Sequence, residues 1–161
     1  MAINMGTLGR MAAKAAGKTV FQPRDFARAG LHPEQVRRLV RDGQLQRVGR
    51  GRYLLPDAEP SGDIGLALAA AAAPAATVCL LTALRVHEIG TQAPREIWLA
   101  VDRRAAKPRI DFPPVHIVRF SGRALTFGVQ RRTVDGVSVR IYSPAKTVAD
   151  CFKYRNKIGL D

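Results

Sequence analysis

The chain has 161 residues, 47% of them hydrophobic, enough for one ordinary domain or two small ones and too apolar for wholesale disorder. Its 26 basic and 13 acidic residues give a formal charge of +13, and 20 of the basic residues are arginine, a bias that favours nucleic acid as a partner over solubility alone. Cys79 and Cys151 stand far apart and outside any Cys/His ligand spacing, which argues against zinc and a disulfide framework and fits a reducing cytoplasm.

The charge is unevenly placed. Residues 1–56 carry 11 basic and 3 acidic residues, residues 57–95 carry 2 and 4, and residues 96–161 carry 13 and 6, so two basic regions flank a near-neutral middle. At the N-terminus, Thr7 is placed to cap a helix whose Leu8, Met11, Ala12 and Ala15 recur at helical spacing, with Gly17 ending it. Thr19-Val20-Phe21 reads as a short strand, and Pro23 starts a second helix closed by Gly30. His32 to Leu55 follows. Pro33 suits a first helical position and Gly43 the left-handed residue past the end. At 100° per residue, Val36, Leu39 and Val40 fall on one side and Glu34, Arg37, Arg38 and Arg41 on the other. Leu45 to Val48 and Arg52 to Leu55 read as two strands around Gly49-Arg50-Gly51, with Arg47, Arg50 and Arg52 at the tip.

The order helix, strand, helix, turn, helix, strand, hairpin tip, strand is that of a winged helix-turn-helix. In that reading residues 1–56 form a DNA-binding domain, with Gln35, Arg37, Arg38 and Arg41 facing the major groove and Arg47, Arg50 and Arg52 meeting phosphate or a neighbouring groove. The plain alternative is a small helical domain with a solvated basic face.

Pro56 to Gly62 is Pro-rich and acidic and marks the expected domain boundary. Ser61 is expected to cap a helix to about Ala73, stopped by Pro74. Ile64 to Leu84 has no charged residue and is long enough to span a bilayer, yet it is mostly alanine, so a buried helix is the expectation and no membrane is implied. Val78 to Leu80 reads as a strand, and LTALRVHEIG as a helix with Leu81, Leu84 and Ile89 inward, ended by Gly90. Glu96 to Val101 and Val115 to Phe120 read as strands. Between them lies an exposed loop whose Arg103, Arg104, Lys107 and Arg109 suit phosphate, an acidic partner or plain solvent. Val129 to Val134 and Val137 to Tyr142 form a hairpin on Asp135-Gly136. Ser143 and Pro144 then start a last helix with Val148, Cys151 and Phe152 as its buried stripe. The whole is α+β: a winged helix-turn-helix followed by a mixed α/β domain over residues 61–161.

No catalytic constellation stands out. His32, His87 and His116 are isolated from relay or metal partners, Ser121 and Ser143 lack a nucleophile context, and no phosphate-binding glycine loop is present, so the chain reads as a non-enzyme without cofactor or metal.

Taken together, VGRGRYLL, the helix LTALRVHEIG, the strand EIWLAVDRR and DGVSVRIYSPAKTVADCF resemble the AbiEi-type antitoxins of type IV toxin–antitoxin systems across nearly the whole length. The resemblance implies an N-terminal winged helix that represses the promoter of its own operon and a C-terminal antitoxin domain that counteracts a nucleotidyltransferase-like toxin. Members of that family carry more helical sequence after the last helix, so the antitoxin domain is expected to be truncated after Asp161. A solitary winged-helix regulator with a ligand- or protein-sensing second domain is the alternative.

Overall fold

A computed structural model describes residues 18–159, so the first expected helix, Thr7 to Gly17, lies outside the described residues. The protein is α+β, with helices packed on a small hairpin and on a larger mixed sheet.

Two short helices come first, α1 (Pro23–Arg28) and α2 (Pro33–Arg41), each with proline in its first turn where a missing N–H costs nothing. Gly30, at φ 77°, makes the turn between them. The antiparallel hairpin β1 (Gln46–Gly49) and β2 (Arg52–Leu54) follows. The strand expected at Thr19-Val20-Phe21 is reduced to one bridge, in which Phe21 and Tyr53 exchange backbone hydrogen bonds of 2.8 and 3.0 Å. Phe21, Phe26, Leu31, Val36, Leu39 and Leu45 are buried together beneath these elements, with Tyr53 edge-on to Phe26 at 5.3 Å.

The rest of the chain contributes α3 (Ile64–Ala72), β3 (Thr77–Val78), α4 (Leu80–Val86), β4 (Ile97–Asp102), β5 (Val115–Phe120), α5 (Arg123–Thr126), β6 (Val129–Val134), β7 (Val137–Tyr142), α6 (Pro144–Lys153) and α7 (Arg155–Ile158). The five strands are ordered β5-β4-β3-β7-β6, with β4/β5 and β3/β7 parallel and β3/β4 and β6/β7 antiparallel. Strand alternation divides the core in two. Leu99, Val101, Val139 and Ile141 meet α3 on one face, while Ala100, Phe120 and Tyr142 meet α4 and α6 on the other. The Asp135-Gly136 turn has both residues at positive φ, 49° and 79°, as a two-residue hairpin of this twist requires.

Several sequence expectations are corrected. The uncharged run from Ile64 to Leu84 is α3, β3 and the start of α4, and among the described residues no helix is long and apolar enough to cross a membrane. Asp63, not Ser61, immediately precedes α3; Ser61 sits two residues earlier, where its Oγ accepts from Asp63 N–H at 3.2 Å while donating to Asp135 Oδ2 at 2.6 Å. The strand at Val78 ends before Leu80, which opens α4. That helix stops at Val86, ahead of Glu88 at φ 56°, rather than running to Gly90. On α6 the inward stripe is Thr147, Asp150 and Cys151, and Phe152 is 67% exposed. The reason is an interior ion pair: Asp150 turns inward to meet Lys146, and Phe152, two residues and about 200° further round the helix, faces solvent. The expected single last helix breaks at Tyr154.

The two parts meet along a seam. Val20 is fully buried in the core of the sheet, Thr19 N–H donates to Asp135 O at 3.1 Å, and Gln22 Nε2 donates to Ala71 O at 3.4 Å. The alanines of α3 permit this close approach from both sides.

Candidate nucleic-acid interface

The helix α2 is set by its own first turn. Gln35 Oε1 accepts from His32 N–H at 2.7 Å, while the His32 ring accepts from Glu34 N–H at 3.4 Å, so two orphan donors of the helix start are satisfied. Gln35, assigned to base reading from the sequence, is therefore half-buried and has its carbonyl oxygen committed to the cap. Val36 and Leu39 are buried, and Arg37, Arg38 and Arg41 are exposed on the opposite face. Arg37 pairs with Glu34 at 3.0 Å and Arg41 lies 3.5 Å from Asp42, both in solvent where such pairs are weak and readily exchanged. The structure thus brings the three helix arginines to one open face.

The hairpin sorts its arginines differently. Arg47 and Arg50 are exposed, with Arg47 Nε donating to Gly49 O at 3.3 Å. Gly51, at φ 67°, closes the turn. Arg52, expected at the tip beside them, is instead 3% exposed. Strand alternation puts it on the inner face with Leu54, and its guanidinium crosses Gly49 so closely that a Cβ there would lie 2.3 Å from Nη2. Its Nη2 donates to Phe112 O at 3.3 Å and lies 4.0 Å from Asp111. Burial lowers its pKa, with Asp111 acting in the opposite sense, and arginine stays protonated throughout. Arg52 is a clamp between the hairpin and the sheet, not a free cation.

A second arginine clamp escaped the sequence reading. Arg119 Nη1 donates to Asp102 O at 3.0 Å and also to Ala105 O, pinning the start of the loop between β4 and β5. Within that loop Arg103, Arg104, Lys107 and Arg109 are all exposed, as expected. The period of two in RYLL was the available signal for Arg52; none existed for Arg119, whose partners are backbone carbonyls 14 and 17 residues away.

Elsewhere, His87 Nε2 is 2.7 Å from Tyr142 O, a satisfied packing histidine. An open cleft of about 310 Å³ is lined by Leu80, Trp98, His116, Arg119, Tyr154 and Lys157, with Trp98 and His116 stacked at 4.0 Å. Among the described residues no three His, Cys, Asp or Glu side chains converge as a metal site would require. Both cysteines are buried free thiols. Burial, reinforced by Asp150, pushes Cys151 up to about 11 and Cys79 well above the ordinary range, so neither is a ready nucleophile.

No curated protein matches the chain. Residues 10–56, under a third of its length, match the model of the family described as transcriptional regulator, AbiEi antitoxin. The part of the chain that holds α1, α2 and the β1–β2 hairpin is therefore similar to the AbiEi antitoxin transcriptional regulators, as the sequence resemblance implied.

Proposed function

We propose that residues 1–56 are a winged helix-turn-helix that binds double-stranded DNA, with α2 in the major groove and the β1–β2 hairpin as the wing. One observation carries this reading: a single helix buries Val36 and Leu39 and presents Arg37, Arg38 and Arg41, beside a hairpin presenting Arg47 and Arg50. Arginine pairs bidentately with guanine and with phosphate, and five of them on adjoining elements form a positive surface of the right kind. Gln35 keeps only its amide N–H groups for a base, and Arg52 supports the wing from inside.

We further propose an antitoxin that represses the operon encoding it, a regulatory role that the match over residues 10–56 supports, and that counteracts a nucleotidyltransferase-like toxin in the cytoplasm through residues 61–161. One small head makes few base contacts, so useful specificity calls for two copies on repeated half-sites.

The test is a gel-shift titration against the DNA upstream of the gene. The double variant Arg37→Ala/Arg41→Ala is expected to weaken binding by about 100-fold or more, each lost contact counting on the order of 1–3 kcal/mol. Unchanged affinity in a folded double variant would overturn the assigned recognition face.

A further inference from the structure

We propose that the basic loop between β4 and β5, residues 103–112, is a second contact to DNA phosphates, held beside the wing so that the sheet half lengthens the footprint of the head. The inference rests on the DNA-binding reading above.

Sequence alone left this loop open to phosphate, an acidic partner or solvent. The structure shows that it is fixed at both ends. At its start, Arg103 N–H donates to Phe120 O at 2.8 Å, Arg104 N–H donates to Asp102 Oδ1 at 2.7 Å, and Arg119 holds two further carbonyls. At its end, the buried Arg52 donates to Phe112 O, and the buried Pro113 lies against the first turn of α3 near Gly65. Taking a guanidinium out of water is costly, and a loop with no positional duty gives no return for it.

The consequence is placement. Arg52 is two residues from Arg50 in the wing turn, and its Nη2 donates to Phe112 O at 3.3 Å and lies 4.0 Å from Asp111, so the end of the loop adjoins the wing hairpin. Arg103, Arg104, Lys107 and Arg109 all point to solvent, against one acid, Asp111, in the same stretch. Arg109 lies three residues before Phe112, whose carbonyl Arg52 holds, so the cationic run of the loop ends beside the hairpin that carries Arg47 and Arg50. The anchored end of the loop adjoins the hairpin already assigned to DNA, and this adjacency favours phosphate over an acidic protein.

The experiment compares the full chain with the triple variant Arg104→Gln/Lys107→Gln/Arg109→Gln in salt-dependent titrations on the same upstream duplex. These residues are exposed, so the variant is expected to fold as the parent does, checked by circular dichroism and melting. Each phosphate contact contributes about −0.9 to the slope of log affinity against log salt, so the slope should flatten by about 2 or more. Preference for the upstream sequence should survive, because phosphate contacts carry no sequence information. A triple variant with the parent's affinity and slope, while Arg37→Ala/Arg41→Ala still loses binding, would overturn the loop assignment and leave the loop to an acidic protein partner. Absence of binding by the parent itself would overturn the underlying DNA reading together with this one.

Discussion

The head and the sheet half are built on different principles of burial. Residues 18–55 have one small cluster of six buried hydrophobics beneath two helices and a hairpin, and the outer face of α2 is left bare. The sheet half buries apolar side chains on both faces of five strands, with α3 on one and α4 and α6 on the other. A unit that must present charge cannot be covered on that side, so it forgoes a second layer. The two parts are tied at the seam: Val20 is a head residue buried in the sheet's core, and Arg52, Gln22 and Thr19 hydrogen-bond across it. The lesson is that head and sheet are joined by buried contacts, which is also what allows a loop of the sheet to take a fixed place beside the β1–β2 hairpin.

The largest expected effect lies in the sheet half, away from α2 and the β1–β2 hairpin. Lys146 and Asp150 form an ion pair about nine-tenths buried, and the Lys146 ammonium sits 5.1 and 4.4 Å from the ring centres of Phe120 and Tyr142. Asp150→Ala leaves that ammonium buried without its partner and should cost about 3–5 kcal/mol, whereas Lys146→Met with Asp150→Leu should recover most of it. If head and sheet are one unit, chemical denaturation of Asp150→Ala will show a single transition displaced for both parts. Two separated transitions would break the comparison, showing a head that stands alone.

A smaller effect is expected at the seam. Gly136 sits at φ 79°, and a Cβ there would lie 2.5 Å from Lys18 Cβ and 2.6 Å from its Cα. Gly136→Ala thus combines left-handed strain with a clash against backbone and should destabilise by roughly 2–4 kcal/mol. Amide exchange should speed up first in the head, at Phe21 and Tyr53, if the seam supports it; uniform acceleration would deny the head its dependence.

How much of this was legible from the residues depends on range. Local signals held: Pro33 and Gly43 bracket α2, Asp135-Gly136 turns the last hairpin, and 100° periodicity separated Val36 and Leu39 from the arginines. What failed was decided by polar pairing. Phe152 is exposed on a helix whose Asp150 pairs inward with Lys146, four residues before it, and Arg52 leaves the wing tip on the inward side of its strand, where a carbonyl 60 residues away accepts a hydrogen bond from its guanidinium. Ser61 still accepts from Asp63 N–H just ahead of α3, but its bond to Asp135, 74 residues on, had no signal in the spacing. Polar side chains have too many possible partners for spacing to choose among them, while apolar ones need only a face.

The smallest effect, and the finest probe of the seam, is electrostatic. Burial alone would raise the pKa of Asp135, yet the hydrogen bonds from the Ser61 hydroxyl and N–H, at 2.6 and 3.0 Å, outweigh it and hold the carboxyl below its usual range. A carboxyl depressed in the folded state stabilises the fold at pH above its unfolded pKa of about 3.9, and loses that contribution as pH falls through the folded value. Asp135→Asn keeps a side chain that tolerates the left-handed backbone at φ 49°, removes the charge and leaves one of the two oxygens that accept from Ser61. The variant should therefore melt on the order of 2 °C below the parent at pH 7, with the gap closing as pH drops below about 4. Taking the difference between the two proteins cancels the acid sensitivity common to both. A gap that stays constant from pH 7 to pH 3 would mean that the Ser61–Asp135 contact holds the linker by shape alone, and the seam would then owe its strength to Val20 and the backbone bonds rather than to charge.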